Sequence, residues 1–109
     1  MATATMIEEL LPVILERIVD AVRPEMVVLF GSHAKGRAEA GSDIDLLVVE
    51  REPFGKQRSR LKEIGKLERS LGKILLPMDV LVYSMEEIER WRQVPTHVVA
   101  HALAEGRVL

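Results

Sequence analysis

The chain has 109 residues, 48% hydrophobic and 29% charged, with a formal net charge of −2 and no cysteine. That length fits one compact domain over residues 1–109, and the apolar fraction excludes a disordered chain. The lack of cysteine excludes disulfides, thiolate metal sites and cysteine nucleophiles, and a pI near 5.9 gives no general attraction to nucleic acid or anionic membranes. No apolar run approaches the ~18 residues of a membrane span. Acidic residues precede the first apolar stretch, unlike a signal peptide, so a soluble cytoplasmic domain is expected.

Charge is unevenly spread. Residues 1–50 carry 4 Lys/Arg against 9 Asp/Glu, residues 51–73 carry 8 against 3, and residues 74–109 carry 3 against 5. The basic middle segment reads first as a solvated helix face.

Leu11, Ile14, Leu15, Ile18 and Val22 recur at helical spacing and predict an amphipathic helix over residues 5–22. Pro12 should lie near its start or bend it, and Arg23-Pro24-Glu25 should stop it. Met26–Phe30 is a continuous apolar run, as in a strand buried on both faces. After a Gly- and Ala-rich turn, Asp43–Val49 reads as a second strand. Leu61, Ile64, Leu67 and Leu71 mark a helix over about residues 56–72, with most basic residues on its outer face. Met78–Tyr83 is a third strand, and Ser84 with Glu86 and Glu87 resembles an N-cap opening a helix to Val94. A last helix is expected over Thr96–Glu105, ended by Gly106, and Arg107–Leu109 adds an edge strand. Alternating strands and helices predict an α/β domain.

Chemistry concentrates in Leu29–Val49. Gly31-Ser32 follows a buried strand and opens a short helical turn, where glycine lets a ligand approach and serine offers a hydroxyl and an N–H to phosphate. Lys35 adds a cation one turn on. The spacing of Gly31 and Gly36 invites comparison with a P-loop, but Arg37-Ala38 replaces the lysine and hydroxyl of that motif, so no Walker A loop is present.

Asp43 and Asp45, two apart in a strand, point to one face. Two carboxylates about 4 Å apart repel by roughly 4 kcal/mol at an effective dielectric of 20, which favours a cation between them. Alone, the pair is equally compatible with a polar strand start. Asp79, early in an apolar strand, shifts the balance: if the second and third strands are neighbours, three carboxylates meet beside a phosphate-binding turn. That set suits two-metal nucleotidyl transfer, with Asp79 as third ligand or general base.

Gly31-Ser32, a ten-residue spacer, Asp43-Ile44-Asp45 and a later strand aspartate resemble the signature of the DNA polymerase beta superfamily of nucleotidyltransferases. The length, with LFGSHAKG and SDIDLLVV, is similar to its minimal nucleotidyltransferase branch, over essentially the whole chain. The resemblance implies a polymerase beta-like nucleotidyltransferase fold, a small mixed β-sheet flanked by helices. It implies Gly31 and Ser32 on the triphosphate, with Lys35 and Ser42 in the same nucleotide-binding set. It also implies Asp43, Asp45 and Asp79 on magnesium, two ions in all, with ATP as substrate. The family often has arginine where this chain has His33 and Lys35. Proteins of this branch are commonly encoded beside a HEPN-type ribonuclease toxin. The resemblance therefore implies an antitoxin that transfers AMP to a hydroxyl, usually tyrosine, of that partner protein.

Two other readings stay open: an antitoxin that masks its toxin without catalysis, and a transferase for a small molecule. Other features read as structural. His97 and His101 are spaced i, i+4 but lack the H-E-x-x-H glutamate, so packing or a partner surface is expected rather than a metal. Trp91 reads as a partly buried packing residue, and Tyr83 as a core or edge residue, with self-modification as its alternative. The basic helix carrying Lys56, Arg58, Arg60, Lys62, Lys66 and Arg69 has no aromatic residues on its basic side, so direct nucleic-acid binding is not expected.

Overall fold

A computed structural model describes residues 4–38 and 41–109. Helix α1 (Ala4–Val22) leads to β1 (Met26–Phe30) and a one-turn helix α2 (Gly31–Ala34). Then follow β2 (Ile44–Glu50), α3 (Arg60–Leu71), β3 (Met78–Ser84), α4 (Met85–Trp91), α5 (Val98–Glu105) and β4 (Arg107–Val108). The sheet order is β3-β2-β1-β4, with β1 antiparallel to both β2 and β4 and β2 parallel to β3. This is a mixed α/β sheet, as expected.

The sheet buries apolar residues on both faces. On one, Val27, Leu29, Ile44, Leu46, Val48 and Val82 pack against Ile7, Leu11, Ile14 and Ile18 of α1 and Leu67 and Leu71 of α3. On the other, Val28, Leu47 and Val49 meet Ile88 of α4 and Val99 and Ala102 of α5. Alternate side chains of β2 feed both cores, which is why its sequence runs apolar without a break. No described helix is long and apolar enough to cross a membrane.

Local chemistry explains most boundaries. Arg23 adopts φ 50° as α1 stops, and its N–H closes on the Val19 carbonyl at 3.0 Å. Pro12 lies inside α1, exposed, rather than near its start; facing solvent, its ring meets no core. Ser84 and Glu87 form a reciprocal capping box at α4.

Helix α3 starts at Arg60, not near residue 56. Ser59 accepts the Lys62 N–H at 3.3 Å, and Gly55 and Arg58 form a separate bridge. Lys56 and Arg58 are therefore loop residues. The basic residues are also less solvated than expected, because several find internal partners. Arg60 donates to the Val82 carbonyl and pairs with Glu87, which tethers α3 to the outer edge of β3.

Arg58 turns inward to a buried carboxyl pair. Its Nη1 and Nη2 donate to Glu50 Oε1 at 3.2 and 3.1 Å, and it pairs with Glu63 at 3.6 Å, while Lys66 donates to Glu63 at 2.9 Å. Glu50 Oε2 is buried with no hydrogen bond to it, and the Glu63 carboxyl stands beside the Glu50 carboxyl. Burial first, and then the neighbouring Glu63 carboxyl, to which only a protonated Glu50 can donate, push the Glu50 carboxyl up. Burial pushes Glu63 up as well, but bonds from Lys66 and Glu50 outweigh it and leave Glu63 below its usual range.

The raised Glu50 pKa makes stability fully present below the ordinary value of 4.5 and lost as pH rises through the folded value. Glu63 has the opposite sign, losing stability as pH falls below 4.5. Glu50→Gln supplies a permanent N–H toward Glu63. Thermal melts should show this variant more stable than wild type at pH 8 by about 1 kcal/mol, with the difference vanishing near pH 4.5. A variant less stable at pH 8 would refute the cost assigned to a charged Glu50 carboxylate buried beside Glu63.

Candidate active site

Strand β1 delivers Phe30 opposite Asp45 of β2, and the parallel pairing of β2 with β3 sets Asp45 opposite Asp79. The chain then turns at Gly31, with φ +73°, into α2. A Cβ at Gly31 would stand 3.1 Å from Asp45 Cγ and nearer still to Oδ2. The bare α-carbon of Gly31 is what lets the Asp45 carboxylate lie against the turn. Glycine here answers two demands, a left-handed backbone and a close approach.

Asp45 is half-buried, while Asp79 and Asp43 are exposed. Burial, then the charge of Asp79, then that of Asp43 raise the Asp45 pKa, and His33 partly offsets them. The three carboxylates thus share one electrostatic environment. Asp43 precedes β2 rather than belonging to it, so strand alternation does not set its direction. Among the described residues, no group of three or more His, Cys, Asp or Glu side chains is gathered closely enough to hold a metal by itself.

Ser32 lies in α2, half-buried, directly after Gly31. Lys35 caps the end of α2, but its ammonium pairs with Glu105 of α5 at 2.6 Å, with both side chains partly exposed. Ser42 is half-buried, and its carbonyl accepts the His33 Nε2–H at 2.9 Å. A cavity of about 330 Å³ lies between α3 and β3, on the sheet face opposite the one in phase with Asp45, lined by Ile64, Leu67, Glu68, Met78, Val80 and Val82, with Asp79 at its margin.

Sequence reasoning missed the contact of Gly31 with Asp45, the His33 bond to Ser42 and the Lys35–Glu105 pair. Only the glycine carried a signal, its position at a strand end; the other two join residues 9 and 70 positions apart. His97 and His101 do not share a helix face, since His97 is the N-cap of α5 and its Nδ1 accepts the Val99 N–H at 3.1 Å. The His97 ring stacks on Trp91 at 4.3 Å and meets Tyr83 edge-on at 5.8 Å, which is the packing role expected of all three.

A mixed sheet with the turn at Gly31 against Asp45, and Asp79 opposite it on the parallel neighbouring strand, suits a protein of the nucleotidyl-transfer class. The chain belongs to the nucleotidyltransferase domain family, which it matches over residues 11–106. Its fold is similar to a crystal structure of a toxin–antitoxin with AMP-PNP, with TM-score 0.52 and 19% identity over 87% of this chain and 68% of that one. It is also similar to a candidate nucleotidyltransferase from Sulfolobus solfataricus, with TM-score 0.57 and 24% identity over 83% of this chain and 82% of that one. At these identities the likeness is one of fold. No curated protein matches the sequence.

Proposed function

We propose that this chain is a magnesium-dependent nucleotidyltransferase that acts as an antitoxin in the cytoplasm. In this reading it transfers AMP from ATP to a tyrosine hydroxyl of a HEPN-type ribonuclease toxin. The observation that carries it is the pairing of Asp45 with Asp79 across β2 and β3, with the bare α-carbon of Gly31 against Asp45.

The donor set fits magnesium. It consists of hard carboxylate oxygens, and magnesium is commonly held by one or two carboxylates with substrate phosphates completing the shell. Asp43, Asp45 and Asp79 would hold the ions, two in the full arrangement. Bound there, magnesium would offset charge that builds on the phosphates during in-line displacement.

The chain's own groups supply the rest. Gly31 and Ser32 receive the triphosphate, with Ser42 beside them, and Lys35 adds a cation when it exchanges Glu105 for phosphate. Asp79, exposed on the outer strand of the sheet, takes the proton of the acceptor hydroxyl as that oxygen attacks the α-phosphorus. The bond from the α-phosphorus to the bridging oxygen breaks, and pyrophosphate leaves. The toxin–antitoxin neighbour with AMP-PNP supports a partner protein and a nucleotide as ligands.

The test incubates the purified chain with α-labelled ATP, Mg²⁺ and the product of the neighbouring gene. Label on a tyrosine of that partner is the expected result. A second reading, masking without transfer, draws support from the Lys35–Glu105 pair, which keeps the phosphate-side cation engaged. An unlabelled partner that is nevertheless silenced would establish masking and overturn transfer.

A further inference from the structure

His33 carries an inference beyond the acidic cluster and the Gly-Ser turn. Its imidazole reaches from α2 to the segment just before β2, where Nε2 lies 2.9 Å from the Ser42 carbonyl oxygen. A carbonyl only accepts, so Nε2 carries the proton, and the bond persists whether the ring is neutral or charged. Ser42 is followed directly by Asp43, which lies outside the ladder that orients Asp45 and Asp79. Ile44, next along, is tied to the Pro77 carbonyl through its N–H at 2.9 Å. One side of Asp43 is thus held by the sheet and the other by His33.

We propose that His33 is a positioning residue that fixes the main chain at Ser42 and so sets the place of Asp43 relative to the Gly31-Ser32 turn. This rests on the nucleotidyl-transfer reading of the site, because it assigns His33 a part in that reaction. His33 needs no contact with the substrate; its donor atom acts through the Ser42 backbone. Glutamine, whose Nε2 is also a donor at the end of a side chain, is the substitution that retains the function.

The experiment compares wild type, His33→Ala and His33→Gln by three readouts. Backbone amide shifts of Ser42, Asp43 and Ile44 should move in His33→Ala and return toward wild type in His33→Gln. Affinity for Mn²⁺, used as a paramagnetic probe, should fall roughly 10-fold in His33→Ala and recover in His33→Gln. The kcat for AMP transfer should drop roughly 10- to 100-fold in His33→Ala, with KM for ATP little changed. Unmoved amide shifts in His33→Ala, or equal losses in both variants, would overturn the proposal. If wild type transfers nothing, the functional reading fails while the amide shifts still decide whether His33 holds Ser42. Should His33→Ala fail to fold, His33→Gln alone decides: normal Mn²⁺ affinity and amide shifts support the role, and losses there refute it.

Discussion

Asp43→Asn combined with Asp45→Asn should abolish transfer while making the protein more stable. In the proposed reaction both carboxylates would act through the magnesium they hold, and loss of one group that stabilises developing charge typically costs 10²–10³-fold in rate, so loss of the pair should reduce turnover below detection. The stability gain comes from the opposite side of the same arrangement. Asp45 is half-buried with the charges of Asp79 and Asp43 against it, and His33 offsets them only in part. Like charges facing each other across strands are destabilising by roughly 0.2–1 kcal/mol, so their removal should raise Tm by about 1–6 °C. Calorimetry of the metal-free protein beside the labelled transfer assay checks both halves. A fall in Tm would refute the claim that these carboxylates are held together against repulsion.

Gly31→Ala should damage the protein through two separable effects. A residue other than glycine at φ +73° is strained by roughly 1–2 kcal/mol, whatever surrounds it. The added methyl would also strike the Asp45 carboxylate, which must swing away from the turn. A displacement of about 1 Å is enough to cost roughly 100-fold in rate. Gly36→Ala supplies the control, because Gly36 has φ +67° but a Cβ there would meet nothing within 4 Å. Both variants should lose similar stability in denaturant titrations, and only Gly31→Ala should lose most of its transfer rate. Equal rate losses would show that backbone strain, not contact with Asp45, makes glycine necessary at position 31.

The strands were legible from the sequence almost to the residue. Met26–Phe30 is a short apolar run between turn signals, buried through its middle, and Met78–Ser84 is a half-buried run of strand-forming residues between Pro77 and the helix cap at Ser84. The long helix from Ala4 to Val22 followed from its apolar spacing in the same way. Helix starts were less legible where loop and helix share composition. Residues 56–59 are as polar as the helix after them, and only the Ser59 cap and the Gly55–Arg58 bridge mark where α3 begins.

For the site, local pattern alone determined the residue types: glycine and serine at a strand end, two aspartates beside a second apolar strand, a third aspartate in another. Which of these meet was decided by tertiary structure. Parallel pairing of β2 with β3 set Asp45 opposite Asp79, because ladder register depends on how whole strands bury their faces and not on either aspartate. The close fit of Gly31 under Asp45, the hold of His33 on Ser42 and the capture of Lys35 by Glu105 likewise join residues outside one another's helix or strand. Periodicity and spacing report which way a residue faces within its own element. Partners across elements exist only once the sheet has formed, since the contacts that select them are made by packing.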